Sequence, residues 1–165
     1  MIRRLFGTDG IRGEAFEPPL DRGTLTQLGR ALAEELAVRR LPTRVLLAGD
    51  TRASTGILAE WLGGAFRAAG GEVHWAGVLP TPAVSQLVLD AGGFGAGVIV
   101  SAAHNPARDN GIKLVTGAGT KWCEDDEAAL EERLAGIADI PEVAVLPRIE
   151  PEWARRYLDL LVATL

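Results

Sequence analysis

The densest run of chemically capable side chains lies between Ser101 and Lys113. There Ser101-Ala102-Ala103-His104-Asn105-Pro106-Ala107-Arg108-Asp109-Asn110-Gly111-Ile112-Lys113 brings histidine, asparagine, arginine, aspartate and lysine close together. His104 and Lys113 are of types that bind a phosphate or exchange a proton with a hydroxyl, and Asn105 can both donate and accept hydrogen bonds. A second polar stretch is Asp50-Thr51-Arg52-Ala53-Ser54. The third is Phe6-Gly7-Thr8-Asp9-Gly10-Ile11-Arg12-Gly13, where three glycines surround one arginine and allow close backbone approach. The planar fork of arginine matches phosphate oxygens, which makes Arg12 a candidate anion ligand. Each string also has a plainer reading. Asn105-Pro106 and Asp109-Asn110-Gly111 are ordinary turn formers, and Arg12 reads equally as a surface arginine on a loop.

The segments between these strings must position them. Arg44-Val45-Leu46-Leu47-Ala48-Gly49-Asp50 is a short apolar run without helical spacing, as expected of a strand buried on both faces. From Ser54 to Ala69 the apolar residues Ile57, Leu58, Trp61, Leu62, Ala65 and Phe66 recur at helical spacing, and Gly70-Gly71 supplies a stop. Strand then helix repeats: Glu72 to Gly77 is the next strand, Thr81 to Leu89 the next helix, opened by Pro82, and Gly95 to Ser101 a third strand. Such alternation implies parallel strands joined by right-handed crossovers, and therefore an α/β layered domain. Ligands of open α/β sheets bind beyond the carboxyl ends of the strands, where the segments after Gly49 and after Val100 fall.

The flanks are read as a helix over Leu25 to Val38, a short strand over Gly111 to Val115 and a helix over Asp125 to Leu134 with its acidic residues early. Ile140 to Pro151, with prolines at 141, 147 and 151, is expected to be an extended connection into a final helix from Glu152 to Leu165. That helix carries Trp153, Tyr157, Leu160, Leu161 and Thr164 on one side, and either packs back on the domain or leads into a following one. The division expected is a domain over 1–150 and, over 151–165, a helix leading toward a missing second domain.

Several functions are set aside. Gly92-Gly93-Phe94-Gly95-Ala96-Gly97 precedes an apolar strand instead of linking a strand to a helix, so it is a turn and not a dinucleotide-binding loop, which removes a nucleotide-dependent oxidoreductase. His74, within an expected strand, is read as structural. Charged residues are 24% of the chain with net charge -5 and form no long block, so no nucleic-acid footprint follows. Small acidic substrates remain open. Cys123 is the only cysteine, which excludes an internal disulfide and multi-thiolate zinc and fits a reducing compartment. Met1 to Gly7 has two arginines without the apolar run of a secretory signal, and no stretch is long enough to span a bilayer. A soluble cytoplasmic protein without membrane or nucleic-acid partners is expected.

Taken in order, Phe6-Gly7-Thr8-Asp9-Gly10-Ile11-Arg12-Gly13, Gly49-Asp50-Thr51-Arg52 and Ser101-x-x-His104-Asn105-Pro106-x-x-x-Asn110-Gly111-Ile112-Lys113 resemble the α-D-phosphohexomutase family across most of the chain. The first string is most similar to the bacterial branch acting on glucosamine phosphates; branches acting on mannose and glucose phosphates share the other two. The resemblance implies the first of four domains, a three-layer α/β fold with a mostly parallel, mixed sheet flanked by helices. It also implies an isomerase in which a phosphoserine before the His-Asn-Pro triplet gives its phosphoryl group to a hexose or hexosamine phosphate. The bisphosphate intermediate turns over and returns its other phosphoryl group to the serine. Magnesium, held by the phosphoserine and an Asp-rich loop of the second domain, neutralises charge in the intact enzyme.

By this resemblance Ala103 occupies the phosphoserine position, where a methyl group carries no phosphate. His104 and Lys113 become the proton-handling or phosphate-contacting residues, Arg12 and Arg52 help hold phosphate, and Asn105 supports the loop. The Asp-rich loop has no counterpart, so the chain alone is not expected to hold magnesium tightly. Ser101, two positions from Ala103, is displaced by roughly 6–7 Å on an extended chain and is not expected to rescue transfer. Two classes stand: an inactive piece of a mutase, or a sugar-phosphate-binding module without its nucleophile.

Overall fold

A computed structural model describes residues 5–164; Arg3, Arg4 and the rest of the first four residues, and Leu165 at the end of the expected last helix, lie outside them. Along the chain come β1 (Ile11–Glu14), α1 (Arg22–Val38), β2 (Arg44–Gly49), α2 (Thr55–Ala68), β3 (Glu72–Val78), α3 (Thr81–Ala91), β4 (Ala96–Val100), β5 (Asp109–Thr116), α4 (Glu124–Ala135) and α5 (Glu152–Ala163). The strands form one five-stranded sheet in the order β1-β5-β4-β2-β3. β2 lies parallel to β3 and β4, whereas β5 runs antiparallel to β4 and to β1.

The apolar runs become central strands because both sheet faces are covered. Val45, Leu47, Val98 and Val100 point into a core shared with Leu28 and Leu32 of α1, Leu58, Leu62 and Phe66 of α2, and Leu130 of α4. Their neighbours Leu46, Ala48 and Ile99 point the other way, into a core with Val84, Leu87 and Val88 of α3 and Trp153 of α5. Alternate residues thus feed opposite cores, and three layers result.

Two local differences from the expected elements have physical causes, and so does the mixed character of the sheet. α1 begins at Arg22 because the Asp21 side chain caps it, accepting from the Thr24 backbone N–H at 3.1 Å. The glycine-rich N-terminal string, expected to be a loop, contributes an edge strand: Ile11 is fully buried and Arg12 pairs opposite Gly111. β5 is antiparallel because residues 101–108 connect β4 to it without a helix, and parallel neighbours would need a longer crossover.

The connection after α4 has no regular structure but is fastened by two backbone hydrogen bonds, Ala144 N–H to the Gly64 carbonyl at 3.0 Å and Glu150 N–H to the Trp75 carbonyl at 2.9 Å, and by side chains such as Gln27, which donates to the Ile137 carbonyl at 2.9 Å. α5 packs back through buried Trp153, with Tyr157 and Leu160 partly covered; Leu158 and Val162 stay exposed. His74 has the structural role expected, bonded to Glu150 at 2.8 Å with its ring edge-on to Trp153. No helix among the described residues is long and apolar enough to cross a membrane.

Candidate functional site

The loop between β4 and β5 stands at the carboxyl edge of the parallel strands and is rooted by buried groups. Ser101 N–H donates to the Gly111 carbonyl at 2.9 Å, and Asn105 N–H to the Ala102 carbonyl at 3.1 Å. At the far side, Asn110 is fully buried, donates to the Ser54 hydroxyl at 3.0 Å and accepts from Gly111 N–H at 2.8 Å. Between these anchors Ala103, His104, Asn105, Pro106, Ala107 and Arg108 are exposed. Ala103 holds φ +50°, a left-handed conformation uncommon for a residue with a Cβ and frequent where a loop serves a site.

The segment after β2 braces this loop. Arg52 Nε donates to the Asp109 carbonyl at 2.7 Å, Nη1 to Asp50 Oδ2 at 2.9 Å, and Nη2 to the carbonyls of Asn105 at 2.7 Å and Ala103 at 3.3 Å. A guanidinium has five N–H donors, so one is left over. Asp50 is in turn engaged by the Arg52 backbone N–H at 3.1 Å, the Thr55 hydroxyl at 3.0 Å and the Ser101 hydroxyl. Burial pushes the Asp50 carboxyl up, but these hydrogen bonds and the Arg52 charge outweigh it and hold the group below the usual carboxylate range. Ser101 Oγ also accepts the Ala103 N–H at 3.1 Å, so this buried hydroxyl both donates and accepts in shaping the turn.

Arg12 and Lys113 meet at Asp9. The Asp9 Oδ2 atom lies 2.5 Å from Arg12 Nη2 and 3.0 Å from Lys113 Nζ. Partial burial pushes the Asp9 carboxyl up, and the bonds and charges of Lys113 and Arg12 bring it below its ordinary value. This pair lies against the root of the loop: a Cβ on Gly111 would come within 2.8 Å of both Arg12 Cδ and the Ser101 carbonyl oxygen. β5 thus carries Lys113, and Arg12 beside it, at the root of the loop, while Arg52 holds the Ala103 turn from the segment after β2.

Of the residues singled out from the sequence, Ala103, His104 and Asn105 lie on the exposed turn, Arg52 beneath it, and Arg12 and Lys113 beside its root. His104 makes no hydrogen bond or ion pair among the described residues. Asn105 engages the loop through its backbone. Sequence reasoning gives Asp9, Asp50, Ser101 and Asn110 no role in holding the site together, although all sit inside the quoted strings; the alternation of β5 and the polar loop ends are the signals available. Among the described residues no three His, Cys, Asp or Glu side chains gather to hold a metal ion, and Asp50 is already occupied. These residues by themselves do not fit a magnesium site.

Residues 3–140 match the family described as phosphoglucomutase/phosphomannomutase, alpha/beta/alpha domain I. A phosphoglucosamine mutase of Solibacter usitatus is 40% identical over 164 residues, covering 98% of this chain and 36% of that protein. A phosphoglucosamine mutase of Thermus thermophilus is 38% identical over 162 residues, covering 98% and 37%. Among solved structures, a phosphoglucomutase/phosphomannomutase family protein of Burkholderia thailandensis matches with TM-score 0.78 and 26% identity over 99% of this chain and 36% of that one. A structure from Thermus thermophilus assigned as a phosphomannomutase matches with TM-score 0.81 and 27% identity over 100% and 37%. The chain spans little more than a third of the length of these relatives.

Proposed function

The chain belongs to the phosphoglucomutase/phosphomannomutase family as its α/β/α domain I, and from that premise we propose that it is the phosphoryl-carrying domain of a phosphosugar mutase, with alanine at the carrier position. The parent enzyme interconverts glucosamine 6-phosphate and glucosamine 1-phosphate, a reading supported by the relatives named phosphoglucosamine mutase. Residues 1–150 form the domain, and 151–165, although packed against it through Trp153, lead on toward a second one, in a cytoplasmic enzyme. Mannose or glucose phosphate is the alternative substrate.

The observation that carries this reading is the Ala103 turn, left-handed and with its carbonyl held by Arg52, beside the Arg12 and Lys113 cations. With phosphoserine at this position, its phosphoryl group passes to the free hydroxyl of the sugar phosphate, whose proton leaves to a base, and the serine hydroxyl is left free. The resulting bisphosphate returns its other phosphoryl group to the serine. Lys113, already an ion-pair partner, contacts phosphate; His104, with its ring exposed on the turn, takes the proton. Arg12 presents its fork to phosphate oxygens, and Arg52 acts chiefly as a brace for the turn, three of its donors going to loop carbonyls and one to Asp50. Preorganised cations of this kind are the main protein contribution to phosphoryl transfer. Apart from the phosphate that a seryl group at position 103 would carry, the magnesium ligands of the intact enzyme would come from outside this chain.

With Ala103 no phosphoryl group is carried, and Ser101 cannot substitute, because its buried hydroxyl is committed to Asp50 and to the Ala103 N–H. The test is Ala103→Ser in the full-length protein, assayed for 1,6 isomerisation of glucosamine phosphate. Isomerisation appearing only in the serine form supports the reading; equal rates in both forms count against it. A second reading, a sugar-phosphate-binding module, is favoured by the intact cation pair beside an inert turn. Calorimetry with hexose phosphates separates the two, since a freestanding binder saturates.

A further inference from the structure

Arg12 and Lys113 share one acceptor atom, Asp9 Oδ2, although their strands would hold them on the same face without it. Register explains why they converge. Arg12 pairs opposite Gly111, and Lys113 follows Gly111 by two positions on β5, so its side chain leaves the face over which the Arg12 side chain lies. Two like charges so placed repel, and a carboxylate between them relieves that repulsion.

The carboxylate is mounted differently from the cations it holds. The Lys113 side chain is 19% exposed and that of Arg12 30%, but that of Asp9 is 59% exposed, on the solvent side of the pair. Its backbone is fixed: Gly7 N–H donates to the Gly10 carbonyl at 2.9 Å, and Lys121 Nζ donates to the Thr8 carbonyl at 2.6 Å. Gly10, at φ +84°, lies so close to β5 that a Cβ would collide with the Ile112 carbonyl. The turn is therefore rigid, while the Asp9 side chain can rotate out into water.

We propose that Asp9 is a positioning residue that holds Arg12 and Lys113 together in the absence of ligand and is displaced by the phosphate group of the sugar phosphate. This rests on the reading of Arg12 and Lys113 as phosphate contacts. One carboxylate leaves the two cations with a net positive charge, whereas a phosphate dianion balances both and offers more oxygens to the arginine fork. Asp9 keeps the site ordered between ligands and lowers its affinity for anions, which favours release of product.

The experiment is titration of the 165-residue chain with inorganic phosphate at pH 7 and low salt, followed by amide chemical shifts. Wild type, Asp9→Asn, Arg12→Ala, Lys113→Ala and Asp9→Asn combined with Lys113→Ala are compared, and thermal unfolding checks that each is folded. Asp9→Ser serves as a second neutral variant. The expected result is binding about fivefold tighter in Asp9→Asn and in Asp9→Ser, the size of one like-charge contact removed at the dielectric of water, in which the exposed Asp9 side chain sits. The gain disappears when Lys113→Ala is added. Binding that weakens or stays unchanged on neutralising Asp9, while Arg12→Ala and Lys113→Ala both lose affinity, overturns the displacement but leaves the phosphate site standing. Affinity indifferent to Arg12→Ala and Lys113→Ala overturns both.

Discussion

The Arg52 guanidinium donates to the backbone carbonyl of Asn105 at 2.7 Å, joining the segment after β2 to the turn after β4 across 53 positions of sequence. The same nitrogen reaches the Ala103 carbonyl, and the side chain is only 10% exposed. Carbonyl oxygens that would otherwise face the site are thereby paired, and the turn is held in one conformation.

Arg52→Ala is expected to destabilise the domain by about 2–3 kcal/mol, the cost of losing hydrogen bonds to a charged group that is largely buried. Arg52→Lys is expected to recover little of this, because an ammonium lacks the fork that reaches three carbonyls and a carboxylate. Urea unfolding measures the loss, and hydrogen exchange is expected to quicken at Asn105 and Asp109 in both variants.

Asp50 makes stability depend on pH in a definite direction. Its folded-state pKa lies below the reference value of 3.8, so its contribution is complete above that value and is lost as the pH falls through the folded-state pKa. Asp50→Asn is therefore expected to be less stable than wild type at pH 7. The gap closes as the pH drops below about 4. Urea midpoints of the two proteins between pH 7 and pH 2 check this; a gap constant over that range contradicts it.

On the opposite face, Glu35 of α1 is nearly buried and bonded to Arg39 at 2.6 Å and to Arg133 of α4 at 2.7 Å. Arg39 in turn pairs with Asp126 of α4. Glu35→Ala leaves both arginines without this shared partner and is expected to cost about 3 kcal/mol. Loss of α4 protection in hydrogen exchange before global unfolding is the accompanying signature.

Gly10→Ala tests the seat of the N-terminal turn. A Cβ there meets the Ile112 carbonyl and also disfavours φ +84°, so β1 must move away from β5. Destabilisation of about 2–3 kcal/mol is expected from overpacking together with backbone strain. Because Asp9 moves with the turn, the Arg12 and Lys113 resonances are expected to shift too. In Gly56→Ala, where open space surrounds the added methyl, no such loss is expected.

Much of this architecture was legible without coordinates. Val45 to Ala48 and Val98 to Val100 are apolar without helical spacing, because strands covered on both faces must bury every residue, so they declare themselves locally. The three quoted strings likewise carried the family and brought the candidate residues into view. Ile11–Glu14 escaped as a strand because an edge strand of four residues, half of them polar, has no apolar run to mark it.

What only the tertiary structure decided were partnerships between distant positions. Asp9 and Lys113 lie 104 positions apart, and no spacing rule announces that one carboxylate oxygen serves both Lys113 and Arg12. Arg52 was visible as a cation, but its direction, into the loop carbonyls, depends on how β2 and β4 lie side by side. Residue type and local pattern are written along the chain and determine which chemistry is available. Which groups neutralise one another is set by sheet order and register, and these emerge only when both faces of the sheet are buried together.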